Sequence, residues 1–282
     1  MSPGRTRLFL TPFVQSAVVI GHDRSDVERR EATRAALAIA GAASVSSPVA
    51  RILITGSGGG LGQLAAETLR ADGQDVILHA RSADRVNENA VIGDLADMEQ
   101  ARDVADQVNR LGRLDAVIHN AGVYTGRAIM PVNVVGTYLL TALIERPQRL
   151  IYLTSGMHSG GRADLANIDW TGQSAGSYSD SKLFVTTLAL AVARLWPDVA
   201  SNAVDPGWVP TRMGGPHAPD DLRLGHLTQE WLATSDEPEA RFSGGFWYHQ
   251  QRRNPPAPAL DPRFQDELLT ELAHYTGTPL PR

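Results

Sequence analysis

Tyr178 and Lys182 are the residues whose types and spacing point most directly to chemistry. Lys182 is the only lysine among 26 lysines and arginines, and an ammonium is a compact charge with three rotatable donors, unlike the planar guanidinium. If this segment is helical, a spacing of four residues places both side chains on one face. A cation beside a phenol lowers the phenol pKa from about 10 towards working pH, as general acid–base catalysis requires. Such a pair also occurs by chance on exposed helices, so it needs partners elsewhere in the chain.

A glycine-rich segment follows the first apolar run. Residues 52–54 are of strand type, and Thr55 leads into the pattern Gly56-x-x-x-Gly60-x-Gly62 and a helical stretch over 63–71. Glycines let the backbone approach a phosphate closely, and the helix N-terminus faces the anion. We therefore predict a nucleotide phosphate site here, although Gln63 stands where the strict G-x-G-x-x-G spacing has its third glycine.

The end of the second predicted strand, over 76–80, bears on the choice of nucleotide. An acidic residue there would bind the ribose hydroxyl of NAD, whereas an arginine accommodates the 2′-phosphate of NADP. Ala80 and Arg81 occupy this place. We predict a preference for NADP(H) and keep NAD(H) as possible, because Arg81 could also be a solvated loop residue. Asp94, after a third strand, could accept a hydrogen bond from an adenine amino group.

Strands alternate with helices through the middle of the chain. Further strands are predicted over 115–119, 150–154, 200–204 and 244–248, with helices over 98–111, 132–145 and 178–196. This alternation is typical of parallel βαβ units in one α/β, doubly wound parallel sheet, the Rossmann fold. Ligands bind outside the carboxyl ends of such strands, so the glycine loop, Ser155 and Tyr178 should meet at one edge. The mixed segment 213–243, with its glycines and prolines, is predicted to be a mobile lid.

The chain is predicted to be a single domain with additions at both ends. Residues 1–50 are expected to be a poorly ordered N-terminal extension, residues 51–252 the catalytic domain, and residues 253–282 a tail with an amphipathic helix. The helix over 178–196 has few polar positions, so it is either fully buried or an interface between subunits.

Composition excludes several classes of protein. A net charge of -5 without basic runs argues against nucleic acid as a partner. The absence of cysteine excludes disulfides and thiolate metal sites, and His119 has no second ligand at useful spacing, so no metal is expected. No apolar run is long enough for a membrane span, and a cytoplasmic location is expected.

Taken in order, these motifs resemble those of the short-chain dehydrogenase/reductase family over roughly residues 51–248. The matching residues are Thr55, Gly56, Gly60, Gly62, Asp94, Asn120, Ala121, Gly122, Asn133, Ser155, Tyr178, Lys182, Pro206 and Gly207. The resemblance implies hydride transfer between a nicotinamide cofactor and a small carbonyl or alcohol substrate.

The resemblance also implies a role for each catalytic residue. Tyr178 would exchange a proton with the substrate oxygen, and Lys182 would hold the nicotinamide ribose and lower the pKa of Tyr178. Ser155 would hydrogen-bond the substrate carbonyl. Asn133 would hold a water that relays protons. The residues expected at the cofactor are Thr55, Gly56, Ser57, Gly60, Leu61, Gly62, Arg81, Asp94, Leu95, Asn120, Ala121, Gly122, Tyr178, Lys182, Pro206, Gly207, Val209 and Thr211.

Two intervals depart from the family pattern: 122–133 is short, and 155–178 is long. The short interval leaves a second function open, a nucleotide-binding sensor or interaction protein with little turnover. The intact Ser155, Tyr178 and Lys182 favour the oxidoreductase. The family commonly pairs through the helix after Tyr178, so a homodimer or homotetramer is expected. Trp170, Trp208, Met213, Trp231 and Phe246 suggest an apolar substrate pocket, although aromatic residues at such positions are as often part of the core.

Overall fold

One sheet organises the protein. A computed structural model describes residues 49–85 and 90–281, and the predictions for residues 1–48 lie outside these ranges. Within them, eight strands lie in the order β3-β2-β1-β4-β5-β6-β7-β8. The strands are β1 (Arg51–Ile54), β2 (Asp75–Ala80), β3 (Ala90–Ile92), β4 (Ala116–His119), β5 (Arg149–Leu153), β6 (Ala200–Asp205), β7 (Phe246–Tyr248) and β8 (Gln251–Arg253). β1 to β7 pair in parallel, which confirms the predicted sheet, and β8 is an antiparallel addition.

Helices cover both faces of this sheet. They are α1 (Gly60–Ala71), α2 (Met98–Arg110), α3 (Thr137–Leu143), α4 (Tyr178–Leu195), α5 (Leu222–Thr234), α6 (Ala257–Leu260) and α7 (Pro262–Thr276). Leu53 packs in the core cluster on one face, while Ile52 and Ile54 pack in the cluster on the other. Successive side chains of a strand point to opposite faces, so burial on both faces explains the continuous apolar run of β1. None of the helices in the described ranges has the length and apolar character of a membrane span.

Much of the lid predicted over 213–243 is a helix and not an irregular segment, and its mobility stays a prediction. Asp221 caps α5, its side chain accepting from the backbone N–H groups of Arg223 and Leu224. Trp231 and Leu232 are then buried against the sheet. The glycines and prolines that favoured a lid lie before this cap, and the apolar face beyond it decides the structure.

Other parts of the same chain cover α4. The Phe184 ring lies 5.9 Å from that of Trp170 and 6.0 Å from that of Phe264 on α7. Arg194 Nε donates to Gln265 Oε1 at 2.8 Å, and Trp196 Nε1 donates to Pro281 O at 2.8 Å. Of the two alternatives for this helix, burial within the chain accounts for its apolar surface, and pairing of subunits through it stays a prediction.

The short 122–133 interval and the long 155–178 interval pack against each other. A Cβ at Gly172 would lie 2.8 Å from Arg127 O, and one at Gly176 would lie 3.2 Å from the side chains of Ile129 and Met130. The extra residues of the long 155–178 interval therefore lie against the short 122–133 interval. Pro131–Gly136 forms a π-helical turn that leads directly into α3.

Candidate active site

Ser155, Tyr178 and Lys182 meet at the carboxyl edge of the sheet. Ser155 follows β5, and Tyr178 opens α4, whose N-cap Ser177 accepts from the backbone N–H of Asp180. Ser155 Oγ accepts from Met157 N at 3.2 Å, and Ser155 and Tyr178 line the same cavity. Lys182 Nζ lies 5.5 Å from the centre of the Tyr178 ring and donates to Leu153 O at 2.8 Å. A phenol, a hydroxyl and an ammonium thus converge as the sequence predicted.

The acidity of Tyr178 differs from the sequence prediction. Burial raises the pKa of its phenol to about 12; the hydrogen bond with Ser155 acts in the opposite direction, and the negative charge of Asp205 adds to the rise. Burial also lowers the pKa of Lys182 to about 8, with Asp205 partly offsetting this shift. In the chain by itself, burial therefore keeps the proton on Tyr178 at neutral pH.

Asn133 lies in the π-helical turn and is buried. Its Oδ1 accepts from Val123 N at 2.8 Å, and its Nδ2 donates to Val123 O and Ser181 Oγ, each at 3.0 Å. A Cβ at Gly122 would lie 3.4 Å from Asn133 Oδ1 and 3.5 Å from Lys182 Nζ, so both polar groups lie next to Gly122. The amide thus fixes the segment after Gly122, and a proton relay through Asn133 stays a prediction.

The glycine loop forms a cradle with room for phosphates. Gly56 has φ of 66°, and a Cβ there would lie 2.8 Å from Ala121 Cα. A Cβ at Gly62 would lie 2.9 Å from Gly56 O. Gly60 begins α1, which has no side-chain cap and no acidic residue in its first turn. Its first N–H groups are thus left for an anion, which fits a dinucleotide pyrophosphate.

Polar side chains tie this cradle to the neighbouring strand ends. Thr55 Oγ1 accepts from Ala121 N at 2.9 Å, and Asn120 Nδ2 donates to Thr55 O at 2.8 Å. The Ser57 hydroxyl is buried against the backbone of His79. The Nδ1 of His79 accepts from Gly56 N at 3.0 Å, and its Nε2 lies 3.0 Å from Gly93 O. Burial lowers the pKa of His79, so its neutral ring can accept at one nitrogen and donate at the other.

Sequence reasoning missed His79. The signal was present, because a histidine stands in the otherwise apolar end of β2. It joins the glycine loop to the segment after β3, and so fixes two walls of the predicted dinucleotide site.

The predicted adenosine contacts lie along the ends of β2 and β3. Arg81 is exposed directly after β2. The Oδ1 of Asp94 accepts from Ala96 N at 3.0 Å. The Leu95 side chain is buried in the core, so only its backbone could face a ligand.

A cavity of about 590 Å³ opens beside the catalytic residues. Its walls include the predicted Leu61, Ser155, Tyr178, Pro206, Gly207, Val209 and Thr211, together with Trp208 and Met213. Trp170, Trp231 and Phe246 lie in the cores, so their assignment to the pocket is wrong. Residues that the sequence reasoning missed are Tyr124, Met157, Asp205, Asp220 and Tyr248. Asp205 was detectable, because it ends β6 immediately before Pro206-Gly207.

Comparisons with known proteins place this geometry in a family. The family model described as short chain dehydrogenase matches residues 50–147. An uncharacterised oxidoreductase of Emericella nidulans is 34% identical over 255 residues, which cover 82% of this chain and 98% of the relative. The short-chain dehydrogenase chyC of Penicillium rubens is 33% identical over 83% of this chain and its own full length.

Solved structures share the fold. A crystal structure of an uncharacterised protein from Mycobacterium paratuberculosis has a TM-score of 0.67 at 21% identity and covers 86% of this chain and 99% of its own. A Shigella flexneri short chain dehydrogenase complexed with NADP has a TM-score of 0.56 at 23% identity, with coverages of 72% and 97%. Together with the extent of the sequence matches, this shows that the chain belongs to the short-chain dehydrogenase/reductase family of oxidoreductases, which bind NAD(P).

Proposed function

We propose that this protein uses NADPH to interconvert a small ketone or aldehyde and the corresponding alcohol, with Tyr178 as the proton donor. The observation that carries the proposal is that Ser155 and Tyr178 line the same cavity, with Lys182 Nζ 5.5 Å from the centre of the Tyr178 ring. The bound cofactor supplies the hydride that reaches the carbonyl carbon. Tyr178 gives its proton to the carbonyl oxygen, so the carbonyl gains the two hydrogens of an alcohol.

Each side chain has a distinct part in this reaction. Ser155 can donate to the carbonyl oxygen and stabilise the negative charge that develops there. Because the pKa of Tyr178 is raised to about 12, its phenol carries the proton that reduction needs. The pKa of Lys182 is about 8, so its ammonium is charged at neutral pH and stabilises the phenolate that remains after transfer.

The preference for NADPH over NADH is part of the proposal. Arg81 is exposed at the end of β2 without an acidic neighbour in the position that would bind a ribose hydroxyl. The Shigella flexneri structure holds NADP on the same fold. A cytoplasmic homodimer or homotetramer stays a prediction, and a partner approaching α4 would meet α7 first. Size-exclusion chromatography with light scattering measures that state directly.

The experiment follows NADPH absorbance with a broad panel of aldehydes and ketones. Tyr178→Phe should lose more than about a hundredfold in turnover and retain NADPH binding, because the phenol meets the substrate. Lys182→Arg should lose at least about a hundredfold, since guanidinium is larger and keeps its proton. Tyr275→Phe on α7 removes a phenol elsewhere and is the matched control.

The second candidate function is a nucleotide-binding sensor. NADPH binding without turnover across the whole panel would favour it over the reductase. Near-normal turnover in both Tyr178→Phe and Lys182→Arg would show that this pair is an ordinary helical contact.

A further inference from the structure

We infer that the substrate of this pocket carries a positive charge near its reacting carbonyl, and that Asp205 selects it. The expected substrate class is an ammonium-bearing ketone or aldehyde, or the corresponding amino alcohol. The inference rests on the proposed function, since it concerns the substrate of the same reaction.

Asp205 presents one free carboxylate oxygen beside the catalytic serine. Its Oδ1 accepts from Gly207 N at 3.0 Å, which holds the turn after β6. Its Oδ2 would lie 3.0 Å from a Cβ at Gly156, the residue after Ser155, so the glycine leaves room for it. Among the described residues, no hydrogen-bond donor or cationic side chain pairs with this Oδ2. Asp205 is half-buried and lines the cavity, so a ligand that displaces solvent there should offer this oxygen a donor or a cation.

The two charged side chains that line the cavity are both acidic. They are Asp205 and Asp220, and no arginine or lysine lines it within the described part of the chain. Two cations lie outside this lining: Lys182 Nζ is 5.5 Å from the centre of the Tyr178 ring, and Arg253 Cζ is 5.8 Å from the centre of the Tyr248 ring. Asp220 uses Oδ2 to accept from Trp208 N at 2.6 Å. Lys182 lies behind the Tyr178 ring, where its ammonium donates to Leu153 O. The cavity therefore favours a cationic guest and repels an anionic one.

The field of Asp205 reaches across the cavity. Burial is the largest cause of the raised pKa of Tyr178 on one wall and of Tyr248 on the other. The charge of Asp205 adds to both rises, and that of Asp220 adds to the rise at Tyr248. A cation between these walls would lie close to both the carboxylate and the reacting phenol.

Aromatic rings complete the surroundings expected for an ammonium. Tyr124 stands edge-on to the Tyr178 ring at 4.8 Å, and Trp208 is 59% exposed. Both line the cavity with Tyr248. The faces of such rings attract cations, so rings and carboxylate together suit an alkylammonium better than either would alone.

The test uses aryl methyl ketones that differ in charge. The probes are meta-acetylphenyl trimethylammonium, its neutral isostere meta-tert-butylacetophenone, and meta-acetylbenzoate. We expect kcat/KM with NADPH to be about tenfold higher for the cation than for the isostere, mostly through KM, as a partly exposed ion pair with cation–π contacts gives. The benzoate should fall below the neutral ketone. Equal values for cation and isostere in the unmodified protein would overturn the inference without any variant.

Asp205→Asn isolates the carboxylate. The amide oxygen can still accept from Gly207 N, so the turn should persist, and an unchanged NADPH dissociation constant confirms that it does. The ratio of cation to isostere should fall towards one. Glu267→Gln, an exposed residue of α7, removes the same charge from the protein and should keep the ratio. A ratio that survives Asp205→Asn contradicts the assignment. The assignment is also contradicted if Asp205→Asn changes kcat/KM equally for all three ketones and alters the ratio of NADP⁺ to NADPH affinity. That result would place the carboxylate against the nicotinamide ring.

Calorimetric binding of the three ketones to the NADP⁺-loaded protein separates the two proposals. Tighter binding of the cation without any turnover refutes the reductase and supports the charge selection. Turnover of all three ketones without a cation preference supports the reductase and refutes the charge selection. Binding of none refutes the charge selection whatever the turnover.

Discussion

His119 should make the stability of this protein depend on pH. It ends β4 and is buried, with its ring stacked on that of Tyr152 at 4.7 Å. Its Nε2 is 3.4 Å from Thr141 Oγ1, and its Nδ1 has no hydrogen-bond partner among the described residues. Burial lowers the pKa of His119 to about 3, because the ring has no carboxylate beside it to balance a charge.

The sign and size of the effect follow from linkage. Above the unfolded value of about 6.5, the ring is neutral in both states and pH has no influence through it. Below that value the unfolded chain binds a proton that the folded chain does not, so the free energy of unfolding falls as pH falls. Each pH unit in this window costs about 1.4 kcal/mol. The loss is about 3 kcal/mol at about pH 4.5 and about 4 kcal/mol at the folded pKa of about 3.

The assay compares urea unfolding of the unmodified protein and His119→Asn between about pH 7.5 and about pH 4.5. Asparagine does not titrate, so the variant should gain about 3 kcal/mol relative to the unmodified protein across this range, whatever their difference at the higher pH. Other buried histidines contribute equally to both proteins and cancel. His274→Asn, which removes an exposed imidazole from α7, is the matched control. Parallel pH profiles for the unmodified protein and His119→Asn would refute the reasoning.

Three further predictions concern the cofactor. Arg81→Ala should weaken NADPH binding and leave NADH binding unchanged, and paired dissociation constants check this; equal losses for both would remove the arginine from 2′-phosphate recognition. Gly56→Ala should lower the melting temperature and weaken NADPH binding, since φ of 66° costs about 1–2 kcal/mol for alanine and the Cβ meets Ala121 Cα at 2.8 Å. Gly59→Ala is its control, because nothing lies within 4 Å of the added Cβ, and similar losses in both would contradict the steric argument. A chain that starts at Val49 should keep the NADPH dissociation constant of the full chain, because no predicted cofactor contact precedes it; loss of folding would show that the N-terminal residues belong to the core.

The sequence by itself determined the order of strands and helices from β1 to β6, and it missed α5 and β8. Its signals are local: an apolar run, the glycines from Gly56 to Gly62, and the i, i+4 spacing of Tyr178 and Lys182. The rule that ligands lie at the carboxyl ends of parallel strands then converted this order into one site, and Ser155 needed only its place after β5 to be included.

The tertiary structure alone decided what depends on neighbours distant in the chain. Asp205 faces Gly156, and His79 joins Gly56 to Gly93, through contacts that no local pattern encodes. Burial raises the pKa of Tyr178 in the chain by itself, and the spacing of Tyr178 and Lys182 does not reveal this burial. Helical spacing fixes which side chains share a face, but the solvation of a charge depends on everything packed around it, and only the folded chain specifies that.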